Sequence, residues 1–166
     1  MRKVFLTLFI ICSVFCTANA QKIGHFSFDA VMQAMPAYVE AQSSLQALRQ
    51  QYVDELKAAE QEFSEKYELF IEQQAMLAPS IREKRQADLQ DMYKKNVKFR
   101  VDSEQLLKQT EQDAMAPIKA RVQQAINAVG EQSDYLLIVN TDSEACPYIN
   151  AANAVDVTAD ILHHAK

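Results

Sequence analysis

Four side chains beyond residue 20 could do chemistry: Cys146, His25 and the adjacent pair His163-His164. A cysteine becomes a nucleophile when a neighbouring base or cation favours its thiolate. None of the histidines stands at a spacing from Cys146 that suggests a paired base. The simpler reading is a small, half-buried thiol in a loop. Adjacent helical residues point about 100° apart, so His163-His164 is poor geometry for a metal. Gly24 and Gly130 are the only two glycines, too few and too scattered for a phosphate-cradling loop. No catalytic residue, cofactor or metal site is therefore expected. An enzyme would betray itself by activity lost on Cys146→Ser.

What remains is the chemistry of binding. Met1-Arg2-Lys3 is a basic start, Val4 to Phe15 is nearly all apolar, and Ala18-Asn19-Ala20 offers small residues for cleavage. Residues 1–20 thus read as a secretory signal peptide cut after Ala20, which sends the chain to an exported compartment. The apolar run, about a dozen residues, is short for an anchor spanning a bilayer of roughly 30 Å. Neither Cys12 nor Cys16 follows the small residues that a lipid-attachment site needs. Without the leader, 15 basic and 22 acidic side chains remain, a net charge of −7. That balance argues against nucleic acid as a partner. Only Cys146 is left, so no intramolecular disulfide can form, and stability must come from packing and association.

The elements that position these residues centre on Ala37 to Val129, two long glycine-free runs broken at Met76-Leu77-Ala78-Pro79-Ser80. This predicts an antiparallel helical hairpin over 36–129, with its tip near 77–82. On the first arm, Leu45, Leu48, Tyr52, Leu56, Ala59, Phe63, Tyr67 and Phe70 repeat every eleven residues, a packing seam. An arm of some forty residues would be about 60 Å long. At the tip, Ser80-Ile81-Arg82-Glu83 fits a capping box. The second arm is less regular: Leu89, Tyr93, Val97, Leu107, Ala114, Ile118, Val122, Ile126 and Val129. Pro117 is expected to kink or restart it, and Gly130 to end it in a left-handed conformation. Seven acids against two lysines in Asp54–Glu72 face seven basic residues against three acids in Arg82–Arg100. Folding one arm back along the other brings these opposite charges together.

Around the hairpin, 21–35 and 130–166 read as a body. Lys22 to Phe28 is a strand, and Asp29 caps a short helix that ends before Pro36. Tyr135 to Val139 is a buried strand, and Pro147-Tyr148-Ile149 a second short one. Asp156 opens a last helix whose acids and histidines suit its dipole. So small a body needs oligomerisation.

Read in order, Lys22-Ile23-Gly24-His25-Phe26-Ser27-Phe28-Asp29 with Met35-Pro36, then Pro117-Ile118 through Ala125-Ile126 into Tyr135-Leu136-Leu137-Ile138-Val139, then Asp156 to Leu162, resemble the Skp family. These are the OmpH-like periplasmic chaperones of outer-membrane proteins, and the resemblance covers the whole chain after the leader. It implies an α+β, mostly α fold: a small trimeric β-barrel-like body from which each chain projects a coiled-coil hairpin, or tentacle. It implies an ATP-independent holdase, a homotrimer that keeps unfolded outer-membrane β-barrel proteins in a cavity between the arms. Family members are often strongly basic; here positive charge is confined to the stretch near the tip.

On this basis the expected client-binding residues are the off-seam apolar Ile71, Met76, Leu77, Ile81, Met92 and Phe99. With them go the cations Arg82, Lys84, Arg85, Lys94, Lys95 and Lys98, where the tip could also touch a membrane surface. Methionine suits contact with varied partners. The body residues expected to join three copies are Ile23, Phe26, Phe28, Leu136, Ile138, Tyr148, Ile161 and Leu162. The competing expectation is a structural coiled-coil protein that bridges envelope components without chaperone activity. In that case the off-seam apolar residues simply complete the helix interface.

Overall fold

The computed structural model describes residues 22–150 and 152–166. The expected signal peptide and its cleavage after Ala20 lie outside the described residues. In order, the elements are β1 (Lys22–Phe26), α1 (Phe28–Gln33), α2 (Pro36–Gln73), α3 (Pro79–Gln132), β2 (Tyr135–Asn140), β3 (Ala154–Asp156) and α4 (Thr158–Ala165). The chain forms two compact units, one of residues 32–123 and one of 22–31 with 124–166.

The hairpin unit is built on α2 and α3. Pro36 is the first residue of α2, where its missing N–H costs nothing. At 38 residues α2 is about 57 Å long. A turn at 74–78 follows, in which Met76 N–H donates to the Gln73 carbonyl at 2.9 Å. Pro79 then opens α3, and the Ala78 carbonyl accepts from the N–H groups of Ile81 and Arg82. Ser80 therefore lies inside the first turn instead of capping it, because Pro79 already supplies the favoured first helical position. Helix α3 runs 54 residues, with Pro117 inside it and no restart.

The first-arm seam packs as its periodicity predicts except at Tyr67, which is exposed. Leu45 and Phe70 are buried, and Leu48, Tyr52, Leu56, Ala59 and Phe63 are half-buried. Antiparallel pairing is read directly from contacts across the arms: Gln73 with Arg85, Phe63 with Tyr93, Ala59 with Asn96, Tyr52 with Phe99. The second-arm seam keeps Leu89, Leu107, Ala114, Ile118, Val122, Ile126 and Val129 at least half-buried but departs from expectation at two positions. Tyr93 and Val97 are exposed, while Asn96, Phe99 and Ser103 are half-buried or buried. Phe99, expected off the seam, meets Tyr52 edge-to-face with centroids 6.0 Å apart. One ion pair, Arg100–Glu60, crosses between the arms among the described residues. Three others, Lys66–Glu62, Lys95–Asp91 and Lys98–Asp102, run within a single helix. Opposite charge accompanies the antiparallel arrangement, but local i,i+4 geometry captures most of the pairs.

The body unit holds a three-stranded parallel sheet in the order β2-β1-β3. Parallel neighbours require long connections. Between β1 and β2 that connection contains the hairpin, and from β2 the chain passes through a loop beginning at Thr141 to reach β3 on the other side of β1. Within one chain the sheet is open, with β2 and β3 as its edges. Gly24 sits in the middle strand, where an added Cβ would stand 3.2 Å from Ile138 Cγ1 and 3.4 Å from Val157 Cγ2. Val31, Val157, Ile161 and Ala165 are fully buried, and Phe26, Ala125 and Val129 nearly so.

Several local features differ from the sequence reading. Helix α1 is capped by Ser27, whose hydroxyl accepts from Ala30 N–H at 3.0 Å; Asp29 lies within the helix. Gly130 remains helical, and Asp134, at φ 54°, takes the left-handed position that ends the segment. The Asp142 carboxylate binds the Ser27 hydroxyl and the Asp29 N–H, fixing the start of the long loop. Pro147-Tyr148-Ile149 is not a strand; the third strand is Ala154–Asp156. A proline and the bonds that Asn150 makes to Ala152, Asn153 and Ala154 turn that loop on itself. Helix α4 starts at Thr158 with Val157 in the N-cap position, and the Asp156 carboxylate just before it accepts Thr158 N–H at 2.9 Å.

Candidate functional site

Among the described residues, Cys146 and His164 are each held in separate local contacts. Cys146 is half-buried in the loop, its Sγ 3.7 Å from the Tyr148 carbonyl. His164 Nδ1 lies 2.9 Å from the Asp160 carbonyl and its Nε2 3.2 Å from Gln132 Oε1, both structural positions. His25 is in the middle strand facing Asp156, whose carboxyl is held below its ordinary value by the Thr158 hydroxyl, then by Thr158 N–H, with help from His25. Among the described residues no three His, Cys, Asp or Glu side chains gather as a metal site.

What the chain does present is exposed apolar surface on the hairpin. Tyr93, Val97 and Val101 follow at i, i+4 and i+8, so they share one face of α3. Their exposures are 59, 44 and 56%. On α2, Tyr67 and Ile71 are also four residues apart and nearly half exposed. The Phe63 ring joins the two sets, stacked on Tyr67 at 5.9 Å and tilted against Tyr93 at 6.1 Å. Tyr67, Tyr93 and Val97 were assigned to the seam by periodicity and are instead surface; Val101 carried no sequence signal as a binding residue.

Two grooves flank this end of the hairpin and share the buried pair Phe70 and Leu89. The larger, about 550 Å³, is walled by Phe63, Tyr67 and Ile71 from α2 and by Gln86, Gln90 and Tyr93 from α3, with Arg82 and Lys94 at its edge. The smaller, about 430 Å³, takes Leu69 and Met92 with charges of both signs: Lys66, Arg85, Lys95, Asp88 and Asp91. Of the expected client-binding residues, Ile71, Arg82 and Lys94 thus line one groove, and Met92, Arg85 and Lys95 the other. Met76 is 82% exposed in the tip turn, with Ile81 exposed and Leu77 half-buried beside it. The cations also divide. Lys95 and Lys98 are paired with Asp91 and Asp102, and Arg85 donates to Gln73 Oε1 at 2.8 Å. Arg82, Lys84 and Lys94 make no such bond among the described residues.

The expected body contacts divide as well. Phe26 and Ile161 belong to the chain's own core, and Phe28, Ile138 and Leu162 are half-buried. Ile23, Leu136 and Tyr148 are exposed. The β2 strand, an unbroken apolar run expected to be buried, shows Leu136 at 62% and Leu137 at 54% exposure. A groove of about 320 Å³ runs beside it, lined by Ile126, Gly130 and Tyr135.

The fold and site define an α+β chain with a long helical hairpin and a small parallel sheet, offering surface for binding. The family model described as "Outer membrane protein (OmpH-like)" matches residues 22–164. The chain belongs to the OmpH-like family. A crystal structure of an OmpH-like chain from Caulobacter crescentus shares the fold, with a TM-score of 0.73 at 16% identity, covering 87% of this chain and 83% of that one. No curated protein matches this chain significantly. Among the described residues, no helix is long and apolar enough to cross a membrane.

Proposed function

We propose that the chain is an ATP-independent periplasmic holdase that keeps unfolded outer-membrane proteins from aggregating, and that it works as a homotrimer. The observation that carries this reading is the exposed stripe Ile71, Tyr67, Tyr93, Val97 and Val101 beside unpaired cations. Contiguous apolar surface of this kind marks an interaction site, and many weak contacts suit varied partners better than one fitted pocket. Family membership supports a chaperone role, as does the Caulobacter crescentus structure, provisionally described as an outer membrane chaperone. Exposed Leu136 and Leu137 on an edge strand favour association through the body, since an open apolar edge invites pairing. Three copies would then surround a client with their hairpins.

The test is dilution of a urea-unfolded outer-membrane β-barrel protein with and without the chain, followed by light scattering. Suppression at three chains per client supports the holdase. Unchanged scattering would favour a coiled-coil protein that bridges envelope components.

A further inference from the structure

We infer that the larger groove, between Tyr67 and Tyr93, binds a segment of unfolded polypeptide in which an aromatic side chain stands next to a carboxylate. This rests on the holdase reading and names what that surface prefers.

Three features select the occupant. The first is aromatic: Phe63 and Tyr67 lie nearly parallel, 19° apart, and Tyr93 closes on Phe63 at 49°, leaving exposed tyrosine rings toward the groove. Offset stacking and edge contact would extend this cluster by one more ring, which an aliphatic side chain cannot do. The second is charge. Arg82 and Lys94 are the only ionisable groups of opposite sign to a carboxylate at this groove, no acid lines it, and neither cation is engaged by the hairpin itself. The neighbouring Lys95 and Lys98, which point elsewhere, already have carboxylate partners. A cationic segment would meet two like charges and be rejected. The third is size and polarity: about 550 Å³ is within the range of ligand pockets, and the amides of Gln74, Gln86 and Gln90 can bond an extended backbone in either direction. The smaller groove offers no such bias, because Asp88 and Asp91 stand among its lysines and arginine.

The test uses the chain from Gln21 onward and three fluorescein-labelled, otherwise identical extended peptides: aromatic with Asp, aromatic with Lys, and leucine with Asp. Fluorescence anisotropy should show the first binding about ten-fold tighter than the other two. Tyr93→Ser should abolish the preference for aromatics, and Arg82→Gln with Lys94→Gln the preference for Asp over Lys. Lys57→Gln, at an exposed lysine of α2 that lines neither groove, should change neither. All these positions except Tyr93 are charged surface sites, so the charge variants report even if Tyr93→Ser lowers stability. Equal affinity for the three peptides would overturn the inference, as would equal loss from Lys57→Gln. Displacement of the aromatic-Asp peptide by anionic lipid vesicles, but not by an unfolded β-barrel protein, would overturn it in favour of a lipid surface. Wild-type chain that suppresses aggregation yet shows no peptide preference refutes this inference alone; failure to suppress aggregation refutes the holdase reading beneath it.

Discussion

The side-chain amide of Asn96 donates to the backbone carbonyl of Ala59 at 3.1 Å, reaching from one arm of the hairpin to the other. Asn96 is the first of three polar residues at seven-residue spacing in the seam of α3. Ser103 and Thr110 follow, and their hydroxyls donate to Phe99 and Leu106 carbonyls of the same helix. Only Asn96 spends its bond across the interface, where it fixes which turn of α2 faces which turn of α3.

Asn96→Ala should cost about 1 kcal/mol, the usual net worth of such a bond, seen as a lower urea midpoint. Asn96→Leu should hold or raise the midpoint but loosen the register, because a polar seam residue trades stability for specificity. Spin labels at Ser64 and Lys95 would give one sharp distance in wild type and a broader distribution in Asn96→Leu. Equally sharp distributions would remove the register role.

Gly24→Ala should destabilise the body by about 1–3 kcal/mol, the cost of overpacking a tight site. The new methyl would press on Ile138, Tyr135 and Val157 between the strands. Thermal unfolding measures this. A neutral result would mean that the sheet yields by the few tenths of an ångström the methyl requires.

The pH dependence of stability should carry a contribution from Asp156. Its carboxyl is held below its ordinary value of 3.8, first by the Thr158 hydroxyl, then by Thr158 N–H. A depressed carboxyl binds fewer protons folded than unfolded, so its stabilisation is present above the unfolded value and is lost as pH falls through the folded one. Wild type should melt higher than Asp156→Asn at pH 7, and the two should converge as the pH falls below 3.8 through the depressed folded value. A difference that does not change with pH would trace the effect to something other than charge.

Association through the body should depend on β2. Leu136→Lys with Leu137→Lys places two charges on the exposed edge strand, and edge lysines discourage strand pairing. The variant should have the molar mass of one chain in light scattering, where the wild type should have that of three. Three chains in both would move the interface away from this strand.

The hairpin was legible because eleven-residue spacing and a proline at the tip leave few alternatives for so long a glycine-free run. The first-arm seam was equally clear, since nearly all its residues are apolar. The second was not. Its seam contains Asn96, Ser103 and Thr110, so a count of apolar positions slid onto Tyr93 and Val97, one face away. The same slip hid Tyr93 and Val97, whereas Ile71, Arg82 and Lys94 of the candidate site were legible as off-seam and basic residues. In the body, Tyr135 to Val139 read as buried because a continuous apolar run resembles an interior strand, although within one chain Leu136 and Leu137 are exposed and the rest only half-buried. The third strand escaped notice: three residues, Ala154–Asp156, are too few for a period, and they pair through a sheet that sequence spacing does not reveal.

The most direct measurement of the central claim compares wild type with a variant carrying Ile71→Ser, Val97→Ser and Val101→Ser. All three side chains are exposed, so helical content and molar mass should stay unchanged while the apolar stripe is lost. Retention of a urea-unfolded outer-membrane β-barrel protein after dilution should fall by about ten-fold or more. Retention equal to wild type would show that the hairpin stripe is not where clients are held.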